Sequence, residues 1–198
     1  MAAGLVGYVP RNDRATATVG ALIRRLLAEP RLAGVDVDRP DLVDVHRRIL
    51  ATKPLTRAVF SELYQACRAA DERHLTGSGV RVEIGAGSSF LKTLYADVLT
   101  TDIKDAPGIE RVVDAMAMPF ADGSVRAIYG IHTFHHLPDP AAFLTELGRV
   151  LQPGGGCILI EPYYGPLASF MFRRIFATEG FDPHQRSWQT PTSFMPSS

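Results

Sequence analysis

The run Val82 to Phe90, VEIGAGSSF, constrains this chain more than any other stretch. A short apolar segment ends in an acid, Gly85 and Gly87 flank a single alanine, and a helical pattern follows. Glycines at those places let the backbone turn sharply and let a ligand come close to the main chain. A strand that passes through such a turn into a helix belongs to a parallel sheet, because parallel neighbours need a crossover between them. The rest of the chain repeats this alternation. Val80 to Ile84, Val98 to Ile103, Arg111 to Asp114, Ala127 to Ile131 and Cys157 to Ile160 read as strands. Ser88 to Tyr95 and Pro140 to Gln152 read as helices. The second helix has Asp139 to cap it, Pro140 at its first position and Pro153-Gly154-Gly155-Gly156 to stop it, with Phe143, Leu144, Leu147, Val150 and Leu151 facing inward. The expected fold class is α/β, a doubly wound and mainly parallel sheet of about five strands.

Before Gly77-Ser78-Gly79 the texture is helical. Ala15 to Glu29 places Val19, Leu22, Ile23, Leu26 and Leu27 on one face. Leu42, Val45, Ile49 and Leu50 form a second stripe, and Leu55, Val59, Phe60, Leu63, Tyr64 and Cys67 a third. Residues 1–79 are therefore expected to be a helical cap, 80–164 the sheet-bearing core, and 165–198 a helical and irregular tail. Lys plus Arg and Asp plus Glu both number 21, so no net positive field gathers nucleic acid or anionic lipid. No apolar stretch reaches the length of a membrane span, and the first residues lack the pattern of a secretory leader. Two cysteines, Cys67 and Cys157, make neither a disulfide framework nor a thiolate metal site, and are expected to be buried free thiols in a cytoplasmic protein. His132, His135 and His136 lack the spacing of a helix-borne metal pair, so no metal is expected.

Three carboxylates stand at strand ends. Glu83 precedes the glycine turn, where a carboxylate repels a pyrophosphate and favours a cation. Asp102 closes the second strand, 17 residues after Gly85, where a doubly wound sheet brings it beside the first turn and within reach of two ribose hydroxyls. Asp114 closes the third strand.

The ordered set then resembles a family. Glu83-Ile84-Gly85-Ala86-Gly87, Asp102, Asp114-Ala115 ahead of Pro119-Phe120-Ala121-Asp122-Gly123-Ser124, His135-His136-Leu137-Pro138-Asp139, and Arg149-Val150-Leu151-Gln152-Pro153-Gly154-Gly155 look like the class I S-adenosylmethionine-dependent methyltransferases. The likeness is to the small-molecule, type 11-like group, over about Val80 to Tyr164. It implies a Rossmann-like core with S-adenosyl-L-methionine as cofactor and a small-molecule acceptor. It implies that Glu83, Gly85, Ala86 and Gly87 hold the methionine and sulfonium region, that Asp102 binds the ribose, and that Asp114 and the Ala115 N–H meet adenine. Ile103 and Met116 would pack on the adenine faces, and His132 would line the place where donor and acceptor meet. His132, His135, His136, Glu161 and Tyr163 are the candidate bases where an acceptor must lose a proton.

The chain departs from the family in showing about five strands, with the last two of the family's seven missing. This implies a C-terminally truncated chain whose fifth strand is an exposed apolar edge, open to pairing with a second copy in a homodimer. The alternatives are a nicotinamide-dependent oxidoreductase using the same turn, which Glu83 and Phe90 in place of a third glycine oppose, and a non-catalytic relative that only binds the donor.

Overall fold

Five strands form the sheet: β1 (Val80–Glu83), β2 (Val98–Asp102), β3 (Arg111–Val112), β4 (Val125–Ile131) and β5 (Leu151–Ile160). Every pairing is parallel and the order is β3-β2-β1-β4-β5. The computed structural model describes residues 42–163, 165, 166 and 169. Residues 42–162 lie in one compact unit, while Tyr163, Gly165, Pro166 and Ser169 fall in another. The expected helix at Ala15 to Glu29 and most of the 165–198 tail lie outside the described residues. The strands are added outward from β1 first to β2 and β3 and then, on its other side, to β4 and β5, and open sheets of this kind bind ligands at the carboxyl ends of the strands flanking such a change in strand order.

Each face of the sheet buries its own apolar set. On one, Val82 and Ile84 with Val125 and Ile128 of β4 meet Phe143, Leu147 and Val150 of α3 (Pro140–Val150). On the other, Val98, Ala127 and Tyr129 meet Leu50 of α1 (Leu42–Thr52) and Tyr64 and Cys67 of α2 (Pro54–His74). Alternation along β4 sends Ile128 and Tyr129 to opposite clusters, as the strand period requires. Each large apolar side chain removed from water contributes about 1.5–3 kcal/mol. The helices are cut as the sequence suggests at one end of α3, where the Asp139 carboxylate accepts from the Ala142 N–H at 3.0 Å and Pro140 opens the first turn.

Several expectations are corrected. Ser88 to Tyr95 is not an α-helix but a turn carrying one short 3-10 segment, Leu91–Thr93. Ser89 sits at φ +55°, which interrupts a helix, and the Thr93 hydroxyl and Lys92 ammonium donate to local carbonyls at Phe90, Ala96 and Val98. β3 ends at Val112, so Asp114 lies two residues beyond it. β5 starts at Leu151, inside the expected helix, and absorbs the glycines. Val125 pairs with Leu151 but Ala127 with Gly156, a bulge in which a Cβ at Gly155 would stand 2.7 Å from the Arg126 carbonyl. Leu144 is 55% exposed, because α3 buries only the narrower stripe of Phe143, Leu147 and Val150. Leu55 and Val59 are likewise exposed, and the buried stripe of α2 runs through Tyr64, Cys67 and Asp71. Cys67 is buried, whereas Cys157 is only partly so; both are free thiols. β5 is an edge strand among the described residues, as expected. No helix among them is long and apolar enough to cross a membrane.

Asp71 is the least anticipated member of the core. It is fully buried, and its carboxylate accepts from Arg81 Nε at 2.6 Å, Arg126 Nε at 2.9 Å and the Tyr129 hydroxyl at 2.6 Å. Burial alone would raise this carboxyl; the Tyr129, Arg81 and Arg126 hydrogen bonds hold it below the usual carboxylate range. The cluster fastens the end of α2 to β1 and β4.

Candidate functional site

The turn after β1 is built from left-handed backbone. Gly85 has φ +62° and Gly87 +45°, conformations that a side chain resists. The Ala86 N–H donates to the Thr101 carbonyl at 3.0 Å, and the Gly87 N–H to Asp102 Oδ2 at 3.0 Å. The turn is thereby fastened along the end of β2. Asp102 Oδ1 accepts from the Lys104 N–H at 3.0 Å. Both oxygens are therefore oriented by the main chain, and each keeps a lone pair. A Cβ added at Gly87 would meet only the Gly85 carbonyl, at 4.0 Å, so this side of the turn is open.

Glu83 lies under the turn at 1% exposure. Its Oε1 accepts from the Tyr64 hydroxyl at 2.6 Å, and its Oε2 has no partner among the described residues. Burial, opposed by the Tyr64 hydrogen bond and helped by the nearby Asp102 charge, pushes the carboxyl up to about 8. The folded chain therefore keeps this proton up to about pH 8, whereas the unfolded chain releases it near 4.5. The folded state binds more protons through that interval, so this group's contribution to stability is present below it and is lost as the pH rises across it. Glu83→Gln is expected to flatten that part of the profile, read by chemical denaturation across the interval; an unchanged slope would show that another group carries it.

The exit of β4 forms the other wall. His132 is exposed at φ +55°, its N–H donating to the Ile160 carbonyl at 2.9 Å. The next turn is pinned by Glu161 from beyond β5: Oε1 accepts from the Thr133 and Phe134 N–H groups at 3.0 and 2.8 Å, and Oε2 meets His135 Nδ1. This sets Thr133 against the glycine turn, where a Cβ at Gly85 would lie 2.7 Å from its side chain. The carboxylate of Glu161 is thus engaged in shaping the loop. The rings of His132 and His135 meet edge to face at 6.3 Å.

Beyond β3, Asp114 Oδ1 accepts from the Met116 N–H at 2.9 Å, and Ala115 is buried. Met116 packs half-buried against the core, while Ile103 is 61% exposed. The loop from Met118 to Asp122 is clamped by one pair from α3. Arg149 donates to the Met118 and Phe120 carbonyls at 2.7 and 2.8 Å, and Glu146 Oε2 accepts from the Met118 N–H at 2.7 Å. Arg149 and Glu146 also bind each other, at 2.7 Å.

The structure therefore places Glu83, Gly85, Ala86, Gly87, Asp102 and the β4 exit at the carboxyl ends of the neighbouring strands β1, β2 and β4, with Asp114, Ala115 and Met116 beyond β3. Sequence reasoning did not single out Tyr64, Thr133, Glu146 or Arg149 for the site. A tyrosine at helical spacing among apolar residues reads as core, and only the i, i+3 spacing of Glu146 and Arg149 hints at a pair. A second guanidinium, Arg47 of α1, donates to the Ser88 carbonyl at 3.0 Å and to that of Pro107, bridging the loops after β1 and β2.

Residues 82–159 match the methyltransferase domain family. Over 50 residues, a quarter of the chain, it is 48% identical to 2-methyl-6-phytyl-1,4-hydroquinone methyltransferase of Synechocystis sp. and covers 16% of that protein. Over a stretch of the same length it is 40% identical to the chloroplastic tocopherol O-methyltransferase of Arabidopsis thaliana, covering 14% of it. The chain thus spans only about a sixth of the length of these relatives. Among solved structures it is similar to a geranyl diphosphate C-methyltransferase of Streptomyces coelicolor A3(2), with a TM-score of 0.42 and 14% identity, over 71% of this chain and 60% of that one.

Proposed function

We propose, for a chain whose residues 82–159 belong to the class I S-adenosylmethionine-dependent methyltransferases, that it transfers a methyl group from S-adenosyl-L-methionine to a small-molecule acceptor. The observation that carries this reading is the open turn at Gly87 beside an oriented Asp102 carboxylate and above a buried Glu83 with one unpartnered oxygen. These groups fit a sulfur nucleoside that is cationic at one end and bears ribose hydroxyls. When bound, it supplies a methyl group on a positively charged sulfur, which an acceptor nucleophile takes by in-line displacement.

In this reading Gly85, Ala86 and Gly87 give the donor a close main-chain surface, and Glu83 gives it a negative partner. Asp102 accepts from the ribose hydroxyls, with both its oxygens already aimed by the Gly87 and Lys104 N–H groups. Asp114 and the Ala115 N–H meet adenine, with Met116 against one ring face and the exposed Ile103 closing on the other. His132, at the β4 exit, faces the acceptor and takes its proton where the acceptor must lose one. The chain's main contribution is positioning and exclusion of water. The two free thiols suit a reducing cytoplasm, and the side of β5 that pairs with no strand among the described residues suits a homodimer in which a second copy adds one.

The nicotinamide alternative is weakened by the turn. A pyrophosphate is bound at the N-terminus of an α-helix, and here only a short 3-10 segment follows. Calorimetry with S-adenosylmethionine, its demethylated product and NAD separates the readings: the sulfur nucleosides bind and NAD does not. Binding of NAD alone would reverse the assignment. Asp102→Ala is expected to weaken donor binding by roughly 1.5–3 kcal/mol, the worth of hydrogen bonds to a charged acceptor. Unchanged affinity would remove Asp102 from the ribose site.

A further inference from the structure

The carboxyl of Glu83 is held from one side only. Tyr64 of α2 donates to Oε1 at 2.6 Å, both groups being buried, while Oε2 is unpartnered among the described residues. Tyr64 is itself fixed: its ring packs on Phe60 and Phe90 at centroid separations of 6.4 and 6.2 Å. The titratable groups facing this carboxyl are Tyr64 and Cys67 from α2 and Asp102 from β2. Thr101, also on β2, donates to the Glu83 carbonyl and leaves the carboxyl alone. None of these neighbours is a cation, so an ionised Glu83 has no balancing charge close by among the described residues. Burial and the Glu83 charge push both the Tyr64 phenol and the Cys67 thiol up, the thiol to about 11, so neither ionises near neutrality.

We propose that Tyr64 is a positioning residue of the donor site and makes donor binding proton-coupled: its phenol fixes one oxygen of Glu83, the other is left to meet the donor's positive end, and Glu83 releases its proton to solvent as that end arrives. The O–H bond of the carboxyl breaks, its electron pair stays on the carboxylate facing the cation, and the proton passes to the buffer. A neutral Glu83 costs the ligand-free fold less than an unbalanced buried charge, and the donor supplies the missing counter-charge. This inference rests on the reading that the turn after β1 binds S-adenosylmethionine.

Calorimetric titration of the full chain with S-adenosylmethionine, in two buffers of different ionisation enthalpy, counts the protons released. The expected result is close to one proton per donor bound at about pH 7, falling towards none at about pH 9.5, where Glu83 is already ionised. Tyr64→Phe is expected to weaken binding about ten- to hundredfold at neutral pH, the fold-change that corresponds to loss of a hydrogen bond to a charged group. It also shifts the proton-release window upward, so that affinity recovers as the pH is raised. A merely structural tyrosine would lower the unfolding midpoint and leave the proton count and its pH window in place. Glu83→Gln, which needs no change at Tyr64, is expected to bind with no proton released at any pH. Donor binding by the wild-type chain without proton release, proton release persisting in Glu83→Gln, or an unaltered window in Tyr64→Phe would overturn the proposal and leave the donor reading standing. Failure of the wild-type chain to bind millimolar donor would overturn both.

Discussion

Asp71→Ala is expected to destabilise the sheet-bearing unit by about 3 kcal/mol, at the lower end of the loss typical for breaking a buried ion pair. The carboxylate is fully buried and serves three donors at once, Arg81, Arg126 and Tyr129. Removing it leaves two guanidiniums facing each other across β1 and β4, and a buried phenol without its acceptor. The guanidiniums keep some contact with water, at 19% and 12% side-chain exposure, which limits the loss. Asp71→Asn should fall between, since it keeps the shape and an acceptor but drops the charge. Urea unfolding of the three proteins at neutral pH checks this. A loss below about 1 kcal/mol would mean that water replaces the carboxylate and that the cluster is a surface pair in effect.

Gly85→Ala is the second large effect. Left-handed backbone at φ +62° costs an alanine about 1–2 kcal/mol. The new methyl also stands 2.7 Å from both Cγ2 and Oγ1 of Thr133, an overlap of the kind that costs about 1–3 kcal/mol in a packed site. Together these give about 2–5 kcal/mol, and relief of the overlap must push the β4 exit away from the turn. Thr133→Ala removes both clashing atoms. The double variant should therefore regain the steric part and not the backbone part, an interaction that a double-mutant cycle on unfolding free energy resolves. Additive effects would show that the two loops are not in contact. Donor affinity in the same variants gives an independent reading of how closely the two walls must stand.

Much of this fold is legible in the residues, for reasons of period and punctuation. The strand starts at Val80 and Val98 and the cap at Asp139 were all visible, because alternation, β-branching and capping are local properties. The site was legible where its geometry is local too. Two glycines needing positive φ and an acid at each of two strand ends define the turn without any tertiary information. What was missed depends on partners distant in sequence. Ser88 to Tyr95 has the composition of a helix, yet Ser89 is left-handed, beside the Ser88 carbonyl that Arg47 of α1 binds, and the segment closes on itself instead. Asp71 breaks an apolar stripe in sequence and completes it in space, because its arginines arrive from strands 10 and 55 residues further on. Tyr64 read as core because a tyrosine at helical spacing gives no sign of what its hydroxyl meets. Leu55, Val59 and Leu144 were expected inward because apolar character marks a wider arc of a helix than its neighbours cover.

The hold that Arg149 and Glu146 exert on the segment after Met116 has a consequence for how such a chain can diversify. The grip falls on main-chain carbonyls and one N–H, groups that every amino acid but proline brings. Ala117, Pro119 and Ala121 point outward and take no part in it. Their identities are free to drift, or to be randomised in a library, while the strap itself stays in register and the scaffold is not loosened.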